Sequence, residues 1–192
     1  MGLRGRKKLK TRVAIRRATY RLVEEQGYEA TTIEQIAQAA EVSPSTVVRY
    51  FPTKEDIVLT DEYDALMESA LRARPPGEEP LESLRIVVTE AVRGLLATEP
   101  EELAQRARLV AEVPAVRARM TETMSETSVL LARVLADRTG RAQDDLAVRV
   151  FTAAVTGAMR EVTLYWAERG RRDDVVALMN TALDTLRGGL RI

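Results

Sequence analysis

The sequence contains no cysteine and no histidine. Disulfides and thiolate chemistry are therefore excluded, and cysteine usage says nothing about redox compartment. Together the two absences also remove the usual zinc sites and every catalytic triad or dyad built on imidazole or thiol. Net charge is missing as well, with 29 Lys and Arg against 29 Asp and Glu, so overall charge does not point to nucleic acid. No apolar run approaches the roughly 20 residues that span a bilayer, and the amino terminus lacks the apolar core of a secretory signal. The expectation is a soluble, cytoplasmic protein with no membrane partner. Alternating strand segments bounded by turn residues are absent too, so the fold class expected is all-α, with about nine helices.

What is present is concentrated first in Thr32–Asp56, TIEQIAQAAEVSPSTVVRYFPTKED. Ile33, Ile36, Ala37 and Ala40 fall at i, i+3, i+4 and i+7 and give a short helix with one apolar stripe, with Thr32 as its N-cap. Val42-Ser43-Pro44 then provides an apolar anchor, an N-cap oxygen and a proline at the first helical position, where its missing N–H costs nothing. In the helix that starts there, Val47 and Phe51 return to the stripe of the first helix. Ser45, Thr46, Arg49 and Tyr50 are left facing outward or toward the rim. Two short helices joined by a tight turn describe a helix-turn-helix over about residues 32–51. Ahead of it, Thr11–Gln26 forms a helix with Ile15, Ala18, Leu22 and Val23 on one face, stopped by Gly27. The positive charge is gathered at this end, because Arg4, Arg6, Lys7, Lys8, Lys10, Arg12, Arg16, Arg17 and Arg21 all precede the first acidic residue, Glu24. A basic arm there would contact phosphates or enter a minor groove, and its plainer alternative is a solvated tail.

The stretch Thr11–Asp56, with GYEATTIEQIAQAAEVS and the tail RYFPTKED, resembles the amino-terminal domain of the TetR family of bacterial transcriptional repressors. The resemblance implies a DNA-binding head, 1–52, and an effector-binding and dimerisation body, 53–192. Two positions depart from the family pattern: Glu41 stands in the turn where the family usually has Gly, and Val48 stands where it usually has Tyr or Phe. If Glu41 is left-handed, that conformation costs roughly 1 kcal/mol relative to Gly. A family role at position 48 does not carry over to Val48. Base reading is expected from Ser45, Thr46 and Arg49, with Pro44 packed on a thymine methyl and Ser43 capping their helix. Tyr50, and Lys54 at the start of the next helix, are matched to phosphate contacts. The amides beside Thr32 also suit a phosphate, although a plain cap and a plain surface lysine would explain Thr32 and Lys54 equally.

Thr53 begins a helix with Asp56 at its third position, a capping box. Ile57, Leu59, Tyr63, Leu66, Met67, Ala70 and Leu71 suggest that this helix runs on as one long element. The run from Arg74 to Pro80 holds three prolines and a glycine and reads as a loop within the body. Helical periodicity resumes over Leu81–Thr98, Pro100 to about Val113, Pro114 to about Arg138, and Leu146–Trp166. A last helix is capped by Asp173 and ends at Gly188-Gly189. The helix over Leu146–Trp166 is apolar on most sides and must be covered on more than one face.

One recognition helix reaches only a few base pairs, so a homodimer on double-stranded operator DNA is expected. The last two helices are its candidate seam, through Ala154, Gly157, Ala158, Leu164, Val175, Leu178, Met179, Ala182 and Leu186, all of which would serve equally as core. A pocket for a small-molecule effector is expected from Leu84, Val88, Val92, Arg106, Leu109, Met120, Met124, Leu131, Phe151, Val155, Met159 and Trp166 on the inward stripes. Packing explains most of these as well, and a salt bridge to Glu90 or Glu161 explains Arg106. The body, with LVAEVPAVRARM after a Pro-rich loop, resembles the mycofactocin-regulator subgroup of the family, which implies an acyl-CoA-like effector. Ligand binding would change the spacing of the two heads, with the helix from Thr53 as lever. No metal, cofactor or enzymatic activity is expected. The rival readings are a dimeric DNA-binding protein without an effector and a carboxylate-dependent enzyme.

Overall fold

The structure, a computed structural model, describes residues 3–60 and 63–190, without the side chains of residues 3–4 and 63–65. The described residues form ten α-helices and no strand, in two compact units that divide after Thr60.

In the first unit, α1 (Leu3–Gln26) ends where Gly27 takes φ 86°, a left-handed stop that glycine adopts without steric cost. The helix begins eight residues earlier than the sequence suggested, so the basic segment around Arg6, Lys7 and Lys8 forms its first turns rather than an extended arm. Thr32 caps α2 (Ile33–Ala39) and Gln35 answers it, each side chain bonding the other's backbone N–H at 3.3 and 2.9 Å. Ser43 caps α3 (Pro44–Tyr50) and accepts from the Thr46 amide. Thr53 and Asp56 form the capping box of α4 (Lys54–Leu59). Three successive short helices are thus each started by a local side chain, which a seven-residue helix needs because nucleation outweighs its intrinsic stability. Their apolar faces meet in a core of Ile15, Ile36, Ala37, Val47, Phe51 and Ile57, none more than 1% exposed. The Tyr20 hydroxyl donates to the Val58 carbonyl at 2.9 Å and ties α1 to α4.

The long helix expected from Thr53 is broken. α4 stops at Leu59, Thr60 is extended (φ −80°, ψ 122°), and a separate α5 starts at Tyr63. This break accounts for the tenth helix, and it leaves α4 in the first unit, past the division expected at residue 52. The lever proposed for that helix therefore does not exist as one rigid rod.

The second unit contains α5 (Tyr63–Arg72), α6 (Pro80–Thr98), α7 (Pro100–Glu112), α8 (Pro114–Thr139), α9 (Leu146–Glu168) and α10 (Val175–Arg187). Pro80, Pro100 and Pro114 each occupy the first turn of a helix, the position where proline is tolerated. α9 packs against α7, α8 and α10, as an all-round apolar helix requires, and α6 packs on α5, α7 and α10. Leu84, Leu131, Val134, Leu135, Val155, Met159, Trp166 and Leu183 are among the buried residues of the resulting core. The cap of α10 is Asp174 rather than Asp173, and it accepts from the Val176 and Ala177 amides. Asp173 is held elsewhere, its carbonyl by the Trp166 indole N–H at 2.9 Å and its carboxylate by Arg169.

Candidate nucleic-acid interface

The surface expected to meet a duplex is built around α3. Val47 is fully buried and Phe51, the C-cap, is 1% exposed; together they pin the inner side of the helix to the head core. Pro44, Ser45, Val48 and Arg49 are exposed on the other side, with Thr46 and Tyr50 half-buried at its edges. The Ser43 hydroxyl lies 2.9 Å from those of both Ser45 and Thr46, so the start of the helix carries a small linked set of hydroxyls able to donate or accept. The Arg49 guanidinium stacks 5.5 Å from the Tyr50 ring centre, which biases its direction without consuming its donors. Ahead of α3, Glu41 takes φ 55°. The turn therefore demands the left-handed conformation even though it lacks glycine. Val42 N–H donates back to the Ala37 carbonyl at 2.9 Å to close α2.

Arg6, Lys7 and Lys8 are exposed on the first turns of α1, and the Arg4 side chain lies outside the described residues. Arg12 lies over the Phe51 ring at 4.8 Å, so this basic residue also packs on the core under α3.

Lys54 has a task that sequence spacing did not suggest. Its ammonium donates to the Tyr28 and Thr31 carbonyls at 2.7 and 3.0 Å and sits 4.0 Å over the Tyr28 ring. These bonds hold the turn that delivers Thr32 to the start of α2, and one N–H of the ammonium is left for an external anion. Beside it the Tyr28 hydroxyl donates to Glu55 at 2.7 Å. Burial and that bond push the Tyr28 pKa up. Burial works against ionisation of Glu55, but the Tyr28 bond and backbone bonding outweigh it and the carboxyl pKa ends lower than usual.

An open groove of about 400 Å³ runs between α1, at Ala14, Arg17, Ala18 and Arg21, and the end of α2 at Ala39, Ala40 and Glu41. In the second unit, the candidate pocket residues Leu84, Leu131, Val155, Met159 and Trp166 belong to one buried cluster, and Val88, Val92 and Phe151 pack on it from α6 and α9. Leu109 and Met120 are buried, while Arg106 and Met124 are half-buried. The seam candidates separate into three groups. Leu164, Val175 and Met179 are buried inside their own chain and so offer no area to a second copy. Ala158, Leu178, Ala182 and Leu186 are half-buried against the same core. Ala154 and Gly157 are exposed. With them stand residues the sequence reading had not chosen for this role: Leu146 at 73%, Val150 at 59% and Tyr165 at 44% exposure. Their spacing along α9 follows a single helical stripe, but on a helix apolar all round that stripe had no contrast.

Residues 15–60 match the family described as bacterial regulatory proteins, tetR family, and residues 78–191 match the MftR C-terminal domain. The chain is 36% identical over 196 residues to the HTH-type transcriptional regulator TcmR of Streptomyces glaucescens, an alignment covering 97% of this chain and 87% of the relative. It is 27% identical to the HTH-type transcriptional repressor KstR of Rhodococcus jostii, over 89% of this chain and 80% of that one. Among solved structures, FadR of Thermus thermophilus, a repressor crystallised with lauroyl-CoA, superposes with a TM-score of 0.57 at 26% identity, covering 94% and 95% of the two chains.

Proposed function

The chain belongs to the TetR family of bacterial transcriptional regulators, and on that premise we propose that it is a repressor that holds palindromic operator DNA as a homodimer until an acyl-CoA-like ligand releases it. The observation that carries the DNA half is the division of α3 into a core-locked side, Val47 and Phe51, and an exposed side carrying Pro44, Ser45 and Arg49. A rigidly held helix with short polar side chains and one guanidinium facing outward fits a major groove. In this reading Ser45, Thr46 and Arg49 meet base edges. Tyr50, Lys54, the α2 amides beside Thr32, and Arg6, Lys7 and Lys8 meet phosphates and set register.

Dimerisation places two such helices on half-sites about one turn of DNA apart. The exposed α9 residues Leu146, Val150, Ala154, Gly157 and Tyr165 supply an apolar surface that a second copy would cover. The effector half is supported by the lauroyl-CoA bound to the Thermus relative and by half-buried Val88, Val92 and Phe151, which border the core without being sealed in it. A ligand releases the operator only if it prefers the state that binds DNA poorly.

Selection of bound sites from random duplex DNA with the full chain is expected to return a palindrome; the absence of any enriched sequence overturns the reading. Titrating lauroyl-CoA against the protein on that duplex is then expected to weaken binding. Unchanged affinity removes the effector and leaves the DNA binding in place.

A further inference from the structure

Val48 is 49% exposed in the middle of the outward side of α3. At 3.6 residues per turn it falls between Pro44 and Ser45 on the helix circumference, with Arg49 beyond Ser45. We infer that Val48 is a specificity-determining residue that reads thymine by packing its methyl groups against the base's 5-methyl group in the major groove. The inference rests on the proposal that α3 enters that groove.

Three observations lead to this reading. Val48 follows Thr46 and Val47, so a seven-residue helix carries three β-branched residues in succession. β-branched side chains lower helix propensity, and at a position half open to solvent only part of the side chain gains packing within the chain in return. The residue is thus costly to its own helix. Its neighbours on the same side are a proline ring, a hydroxyl and a guanidinium, and a valine beside Pro44 is too small a patch for a protein partner. Valine has neither donor nor acceptor, so it makes no bond to a phosphate or to a base edge. The major groove displays nitrogens, oxygens and amino groups, and its apolar group is the thymine methyl. The only exposed large aliphatic side chain of α3 therefore has one chemical complement on the surface it would face.

The test uses the full chain and the duplex obtained by site selection. Each thymine of a half-site is replaced in turn by deoxyuridine, which keeps every hydrogen-bonding group and removes one methyl. Binding is measured for the unaltered chain, Val48→Ala and Pro44→Ala. At one thymine, uracil is expected to weaken the unaltered chain by about fourfold, the effect of burying one methyl-sized group. At that base Val48→Ala should bind the thymine and uracil duplexes alike, and Pro44→Ala, whose own expected thymine contact falls on a different base, should keep the distinction there. The inference is overturned if no thymine shows the effect, or if the effect survives Val48→Ala, whether or not it disappears in Pro44→Ala. Alanine favours the helix more than valine does, so unfolding does not confuse the outcome. If no duplex is selected at all, the DNA-binding proposal itself fails, a result distinct from a selected site that is indifferent to its methyl groups.

Discussion

The two units organise their polar groups by different means. In the head, Thr32, Ser43 and Thr53 each cap a helix within three residues of themselves, and the longer-range polar links centre on Tyr20, Tyr28 and Lys54. In the body, arginines close helix ends and loops that lie far apart in sequence. Arg138 donates to the Leu71, Arg74 and Pro75 carbonyls. Arg85 pairs with Asp184 and Arg187 with Glu82, joining α6 to α10, and over a shorter span Arg117 donates to the Val110 and Ala111 carbonyls at the end of α7. Short helices need their determinants nearby, whereas the longer helices of the body, started by proline at α6, α7 and α8 and by an aspartate cap at α9 and α10, are aligned by whichever distant partner packing brings.

The contrast sets an order of sensitivity. Phe51→Ala removes the largest fully buried side chain of the head and is expected to cost about 3–5 kcal/mol. A two-step thermal melt should then show the head transition falling while the body transition stays; a common shift of both would mean that the units do not unfold separately. Lys54→Met keeps the stem but leaves the Tyr28 and Thr31 carbonyls without their charged donor, and should cost the head about 1.5–3 kcal/mol in a denaturant titration. If the lysine also meets a phosphate, the salt slope of DNA binding drops by about one; a change in the slope with no loss of stability contradicts the clamp. Replacing Leu146 and Val150 by Asp should alter the stability of a single chain by no more than about 0.5 kcal/mol, since both are exposed. The same change should turn a dimer into a monomer in sedimentation, and an unaltered dimer would place the seam elsewhere. The smallest effect is expected at Glu78. Its hydrogen bonds to Arg74, first, and Ser83 hold its pKa at about 2 instead of 4.5. A depressed folded pKa gives stability that is present above the ordinary value and lost as pH falls toward the depressed one. The body melting temperature should therefore fall more steeply between those values in the unaltered chain than in Glu78→Gln.

What could be read beforehand follows the same division. The caps, the proline at the start of α3 and the left-handed Glu41 are consequences of residues within one turn, and the sequence pattern contains them. The break after Leu59 was missed because the apolar residues on either side suggested continuity, although Thr60 is itself a cap-type residue. Asp173 and Asp174 are equivalent as caps by local rules, and the former is held by α9, its carbonyl by the Trp166 indole N–H and its carboxylate by Arg169. Leu164, Val175 and Met179 are core, and Leu146, Val150 and Tyr165 are surface. For the α9 residues among them, on a helix apolar on most sides, that choice belongs to the packing of α7, α8 and α10, which no local period encodes; Val175 and Met179 lie on α10, which packs on α6 and α9. The Lys54 bonds span 26 and 23 residues and were invisible for the same reason.

The most direct measurement of the central claim, that the outer side of α3 reads bases, is a paired titration of the unaltered chain and Arg49→Ala on the selected duplex and on a scrambled duplex of equal length and salt. A loss of about 1–3 kcal/mol on the selected duplex with little change on the scrambled one is the result predicted. Equal losses on both would make Arg49 a backbone contact and contradict the account.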